Sequence, residues 1–236
     1  MTNVGEWYEQ SYKNLGRNAQ RKYPNEELCR FIGRRFNHLS VAERQNTRIL
    51  EVGCGSGANI RMLAEEHFEV IGIDISQEGI EVAKSLINHL GFSANLYASN
   101  MCDMSHHIDS HSQDVLIDVF SSNCLCHADY LSFLQEVNRI LKPGGIYFGY
   151  TPSKSSDAYT NPGPSNFLDS STLDGIRRLD SPFTGNFYPF RFMHRIEAIN
   201  ILEDSSFTIN YLETVSRTYN NGTESFEFLV IEAISL

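Results

Sequence analysis

The stretch Ile49-Leu50-Glu51-Val52-Gly53-Cys54-Gly55-Ser56-Gly57 decides the fold of this chain. Thr47 to Val52 reads as a buried strand, because β-branched and aliphatic residues follow one another without a turn residue. The three glycines then let the backbone turn tightly and come close to a ligand. Ile60, Met62, Leu63 and Ala64 follow at helical spacing. Strand, glycine-rich turn and helix follow one another as they do in nucleotide-binding βα units.

Downstream, the pattern repeats. A strand from Glu69 to Ile73 closes on Asp74, Ser76 is placed to cap a helix, and Ile80, Ala83, Ile87 and Leu90 share that helix's apolar face up to Gly91. Further strands are predicted at Ala94 to Ala98, Asp114 to Phe120 and Ile146 to Thr151. A helix on Leu131, Leu134, Val137 and Leu141 precedes the last of these and stops at Lys142-Pro143-Gly144-Gly145. Such alternation predicts a mainly parallel sheet with helices on both faces.

Upstream, two helices are predicted. In the second, Pro24 suits a first helical position, Glu26 and Glu27 suit the first turn, and Leu28, Phe31, Ile32 and Phe36 share a face. From Pro152 to Pro189 the chain is rich in Pro, Ser, Asn and Gly, with a short helix expected at Thr172 to Leu179. A helix around Phe192 to Leu202 and strands at Phe207 to Tyr219 and Glu224 to Ile234 follow. Asn220-Asn221-Gly222 joins those two strands as a hairpin, so the sheet should end antiparallel.

With 236 residues, the expectation is one domain over 1–236. Within it, 1–40 form a helical cap, 47–151 a ligand-binding core, 152–195 an insertion, and 196–236 the last helix and hairpin. The formal charge of -10 opposes a surface that attracts nucleic-acid phosphates, and no nucleic-acid partner is expected. The five cysteines are scattered and odd in number, which fits a reducing, cytoplasmic setting better than a disulfide framework. The first ten residues lack an apolar signal core, and no apolar run nears the roughly 18 residues that span a bilayer, so a soluble chain without membrane association is expected.

Glycine spacing alone leaves two ligands open. Gly53, Gly55 and Ala58 also satisfy the dinucleotide fingerprint, with Asp74 about the right distance on. Glu51 tilts the choice, because a carboxylate suits an ammonium or sulfonium ligand and would repel a pyrophosphate. S-adenosylmethionine is such a ligand.

Glu51-Val52-Gly53-Cys54-Gly55-Ser56-Gly57 resembles the glycine-rich motif of class I S-adenosylmethionine-dependent methyltransferases. Val70-Ile71-Gly72-Ile73-Asp74-Ile75-Ser76 resembles the family's second strand, which implies that Asp74 holds the ribose hydroxyls and Ile75 lies beside the adenine. Asn100-Met101-Cys102-Asp103-Met104 resembles the loop after the third strand, which implies that Asp103 accepts from the adenine amino group with Met104 on the ring. Leu125-Cys126-His127-Ala128-Asp129 and Arg139-Ile140-Leu141-Lys142-Pro143-Gly144-Gly145 resemble later family segments. The implied fold is Rossmann-like, with seven strands, one of them antiparallel. The implied cofactor is S-adenosylmethionine, leaving S-adenosylhomocysteine, and the implied binding set is Glu51, Gly53, Cys54, Gly55, Gly57, Asp74, Ile75, Asp103, Met104 and Phe120. Two departures stand out: Cys126 replaces a second His common in relatives, and Ser121-Ser122-Asn123 lacks the Asn-Pro-Pro-aromatic signature for methylating an adenine or glutamine amino group.

For catalysis, His127 and Asp118 are the candidate bases, should the acceptor carry a proton that must leave. Trp7, Tyr8 and Tyr12 recur at helical spacing, which suits either a buried aromatic face or a lid over the cofactor. Arg177, Phe187, Tyr188 and Arg191 in the insertion are candidates on the substrate side. Cys124, Cys126 and His127 lack the spacing and number of a closed metal site, so no metal is expected. The leading expectation is methylation of a small molecule on oxygen or nitrogen. A nicotinamide oxidoreductase and a non-catalytic S-adenosylmethionine-binding subunit are the alternatives.

Overall fold

Apolar runs without alternation belong to strands covered on both faces. The Arg48–Val52 strand, β1, meets that rule, being buried at every position after Arg48. The computed structural model describes residues 3–236. Its other strands are β2 (Glu69–Asp74), β3 (Asn95–Ala98), β4 (Gln113–Val119), β5 (Leu141–Pro152), β6 (Thr172–Leu173), β7 (Phe190–Arg191), β8 (Phe207–Tyr219) and β9 (Glu224–Ser235). Its helices are α1 (Val4–Leu15), α2 (Glu26–Phe36), α3 (Val41–Gln45), α4 (Ala58–Glu65), α5 (Gln77–His89), α6 (His127–Ile140), α7 (Asp157–Thr160) and α8 (Arg195–Asp204).

Seven strands form one sheet in the order β3-β2-β1-β4-β5-β9-β8, and β6 pairs with β7 in a separate ribbon. The pairings from β3 to β5 are parallel, and β9 runs antiparallel to both its neighbours. The sheet is therefore the Rossmann-like one the sequence implied. Strand order reverses between β1 and β4, and a crevice opens there at the strands' carboxyl ends.

One core lies on each face. α2, α4 and α5 cover one with Phe31, Ile60 and Ile80, while α6 and α8 cover the other with Phe133, Val137 and Leu202. α2 is held by packing and charge together. Phe31 stacks on Phe148 of β5 at 4.6 Å between centroids, and the buried Glu232 carboxylate accepts from Arg34 and from Arg35, the latter at 2.7 Å. Leaving that carboxylate unpaired inside would be costly, so the two arginines fix where α2 sits.

Local structure departs from expectation in a few places. α2 starts after Pro24, because the Asn25 side chain accepts from the amides of Glu27 and Leu28, both at 3.0 Å. Thr172 to Leu179 is not helical: Thr172 and Leu173 instead pair with Arg191 and Phe190. α6 buries Tyr130, Phe133, Leu134, Val137 and Ile140, leaving Leu131 exposed, so its inner face is rotated from the expected one. In α8 the cap is His194, and the helix begins at Arg195. Asn220, Asn221 and Gly222 take positive φ at the tip between β8 and β9.

Truncating Phe31 to Ala should lower unfolding free energy by about 3–5 kcal/mol, through lost burial plus a cavity beside Phe148. Arg48→Ala, which removes an exposed ion pair with Glu69, should cost under about 1 kcal/mol. Urea unfolding followed by circular dichroism compares the two.

Candidate functional site

The turn after β1 is tied to β2 at two points. Cys54 N donates to the Ile73 carbonyl at 2.9 Å, and Gly55 N donates to Asp74 Oδ2 at 2.9 Å. Gly53 and Gly55 have positive φ, and a Cβ on Gly55 would stand 2.5 Å from the Tyr12 hydroxyl. A Cβ on Gly53 would run into the Ser121 side chain. Both positions demand glycine on conformation and on space.

Two carboxylates stand at this turn with different environments. Asp74 is buried, which raises its pKa, while Oδ1 accepts from Ser76 N and Oδ2 from Gly55 N, which pull it back down. Glu51 is only 2% exposed. Burial pushes its pKa up to about 7, against a donated hydrogen bond from Asn59 and the charge of Arg21. Asn59 Nδ2 donates to Oε1 at 2.6 Å, and Oε2 has no partner. A buried carboxylate oxygen left open beside a cavity suits an incoming cation.

α1 roofs the turn. Tyr12 is buried against Gly79 and reaches Gly55. Glu9 Oε2 accepts from Ser76 Oγ at 2.6 Å and from Glu78 N at 3.2 Å, so α1 is latched to the start of α5. Farther along the roof the Tyr8 and Tyr188 hydroxyls bond each other at 2.8 Å. Phe120, at positive φ just past β4, stacks on Phe183 of the insertion at 4.7 Å. Positive φ at a bulky residue is strained backbone, held here by the bond from Phe120 N to the Tyr150 carbonyl.

Together these elements wall a cavity of about 470 Å³. Trp7, Tyr8, Tyr12, Glu51, Gly53, Cys54, Gly55, Asp74, Ile75, Phe120 and Tyr188 all line it. Other sequence candidates lie elsewhere. Gly57 sits against Ala83, where it lets α4 approach α5. Asp103 bonds Ser105 outside the cavity and Met104 is buried in the core under α6, so the loop after β3 contributes Ser99, Asn100 and Met101 instead.

Asp118 pairs in register with Val52 of β1, and Glu51 pairs with Ile117. Side chains alternate along a strand, so Asp118 faces away from Glu51. Its carboxylate accepts from Ser122 N, Ser122 Oγ and the Tyr147 hydroxyl. His127 opens α6 and donates its amide to Asp169, off the cavity wall. Arg191 is buried with its guanidinium 3.5 Å above the Tyr130 ring, and it donates to Ser122. Arg177 pairs with Asp174 and lies 5.1 Å over Phe187, also off the wall.

Wall residues that were not among the sequence candidates for the site include Arg21, Asn59, Ser121 and Cys124. Asn59 carried a signal, being a polar residue in the first turn of the helix that follows the glycine-rich run. Arg21 carried none. Among the described residues, no cluster of His, Cys, Asp and Glu is arranged to hold a metal, and no helix is long and apolar enough to cross a membrane.

Residues 49–145 match the family described as "Methyltransferase domain". Over this stretch the chain is similar to S-adenosylmethionine-dependent methyltransferases. Mouse arsenite methyltransferase is 36% identical over 121 residues, which is 47% of this chain and 32% of that protein. The tRNA N(3)-methylcytidine methyltransferase trm140 of Schizosaccharomyces pombe is 26% identical over 155 residues, 62% of this chain and 48% of that one. The chain thus spans under half the length of these curated relatives. A Methanosarcina mazei S-adenosylmethionine-dependent methyltransferase has the same fold, with a TM-score of 0.69 at 20% identity over 91% of this chain and 99% of that one.

The family's cofactor, S-adenosylmethionine, fits the residues present. Glu51 Oε2 is open to an ammonium, and the glycine turn leaves room beside it. Arg21 is the one cationic residue on the wall among the described residues, and it suits the cofactor's carboxylate. Gly55→Val should abolish binding of S-adenosylhomocysteine in calorimetric titration while the far-ultraviolet circular dichroism spectrum stays that of the wild type.

Proposed function

We propose that this methyltransferase moves the methyl group of S-adenosylmethionine to a small-molecule acceptor, on nitrogen or oxygen. The observation that carries the reading is the roofed cavity: cofactor-type groups meet aromatic groups in one volume that suits a small molecule. The cofactor supplies an electrophilic methyl on a sulfonium. Glu51 would hold its ammonium, Arg21 its carboxylate and Asp74 its ribose hydroxyls, with Ile75, Asn100 and Met101 around the adenine. Asp74 can do so because each oxygen keeps a lone pair after accepting from the backbone.

Tyr12 and Phe120 close the volume between cofactor and acceptor. Catalysis then rests on holding the acceptor's lone pair in line with the methyl and on excluding water, which needs no covalent intermediate. Within this reading residues 1–40 act as a lid and 152–195 as the acceptor wall, and Asp118 shapes the site through Ser122 instead of touching substrate. The charge of -10 favours a small acceptor over a nucleic acid.

Calorimetry with S-adenosylmethionine, S-adenosylhomocysteine and NAD(P) tests the reading. Both adenosyl ligands should bind and the dinucleotides should not. Dinucleotide binding alone would point to an oxidoreductase, and adenosyl binding without turnover of any acceptor would point to a non-catalytic subunit.

The pH dependence has a definite sign. A protonated Glu51 cannot pair with an ammonium, so affinity for S-adenosylmethionine should fall as pH drops through about 7, by up to tenfold per unit. Glu51→Gln should flatten that profile and weaken binding about 10- to 100-fold at higher pH. Arg21→Gln should weaken S-adenosylhomocysteine but leave methylthioadenosine, which has no carboxylate, bound as before.

A further inference from the structure

The cavity has two ends of different chemistry. Its charged residues, Glu51, Asp74 and Arg21, lie on β1, on β2 and in the segment after α1. The other end, beyond β4, is walled by Trp7, Tyr8, Phe120, Cys124, Phe183 and Tyr188. Trp7 meets Tyr188 edge-on at 5.3 Å, and Phe120 and Phe183 stack at 4.7 Å. The polar groups added there, Ser121, Thr184 and Asn186, are neutral.

Among the described residues, no group at the aromatic end is suited to take a proton near neutral pH. Burial pushes the Tyr8 and Tyr188 hydroxyls up, and the Cys124 thiol up to about 12. They are donors. Glu51, the wall carboxylate poised near neutrality, is occupied by the cofactor's ammonium in the reading above. An alcohol or phenol acceptor would need a base to collect its proton. A lone pair without a proton would not, and transfer to it keeps the positive charge inside the cavity. Aromatic faces favour a cation, whether it sits on sulfur before transfer or on a ring after it.

We propose that the aromatic end takes an uncharged, planar heteroaromatic molecule and that the methyl group goes to an unprotonated ring nitrogen, with no proton transfer. This rests on the methyl-transfer reading above. The nitrogen lone pair forms the new N–CH3 bond as the S–CH3 bond breaks. The electron pair of the broken bond stays on sulfur as a neutral thioether, and the positive charge passes to the ring. One hydroxyl of the Tyr8–Tyr188 pair donates to the other, which leaves one O–H free to donate to a second heteroatom of the acceptor. Phe120 and Phe183 offer their faces to the ring.

The test uses the full chain with isoquinoline and 1-methylbenzimidazole as heteroaromatic probes and 2-naphthol as the proton-bearing control. Calorimetry with S-adenosylhomocysteine comes first, then each probe is titrated into that complex, and turnover is read by mass spectrometry. We expect both heteroaromatics to bind the complex and to yield N-methyl cations at a rate flat above neutral pH, with 2-naphthol unmethylated. Tyr8→Phe should raise the acceptor KM and lower kcat by less than about tenfold, whereas loss of a base costs about 100-fold or more. Phe183→Ala should weaken N-methylisoquinolinium about fivefold or more in the S-adenosylhomocysteine complex. Methylation of 2-naphthol at a rate rising with pH, loss of about 100-fold in kcat in Tyr8→Phe, or failure of both heteroaromatics to bind and react overturns the proposal. Failure of S-adenosylhomocysteine itself to bind would instead sink the methyl-transfer reading and this proposal with it.

Discussion

The Asp74 carboxylate accepts from two backbone amides, Gly55 on the turn after β1 and Ser76 at the start of α5, and those two bonds set the spacing between the ends of β1 and β2. The rest of the site takes its position from that spacing. The glycine turn cannot drift from β2, the capped start of α5 stays beside it, and Glu9 finds Ser76 and the Glu78 amide where α1 can latch. Placing a carboxylate in so dry a position is unfavourable alone, and the donated amides compensate it.

The central sheet was readable because its signals are local. Gly53 to Gly57, the Asp74 terminus and the Asn220-Asn221-Gly222 tip each encode their backbone in a few contiguous residues. Strand ends fell within a few residues of the expected ones, β5 being longest relative to its expected span because it begins at Leu141, before the Lys142-Pro143-Gly144-Gly145 stretch. The short helix at Thr172 to Leu179 failed for the opposite reason. There a distant partner, Phe190-Arg191, decides the structure, and local propensity is too weak to resist it.

The same distinction runs through the site. Glu51 and Asp118 each stand one residue before the end of a strand and both are buried, yet the register that pairs Asp118 with Val52 turns it to the opposite face, a fact no single strand's sequence contains. Arg191 looked like a substrate-facing cation and is instead packed on Tyr130. Phe183 and Arg21 reach the cavity only because the chain returns from far along its length, so neither could be found by spacing from the motif.

The cavity's division of origin bears on how such a protein can change over time. One end is written mostly between Glu51 and Met101, joined by Arg21, with tight backbone constraint at the glycine turn. The other end is assembled from α1, from the segment after β4 and from the irregular insertion, where no strand register is at stake in the choice of Trp7, Phe183 or Tyr188. Under the proposed function, replacing those aromatics would alter the guest while the methyl carrier's seat stays intact. The architecture thus uncouples inheritance of the donor from innovation in the acceptor.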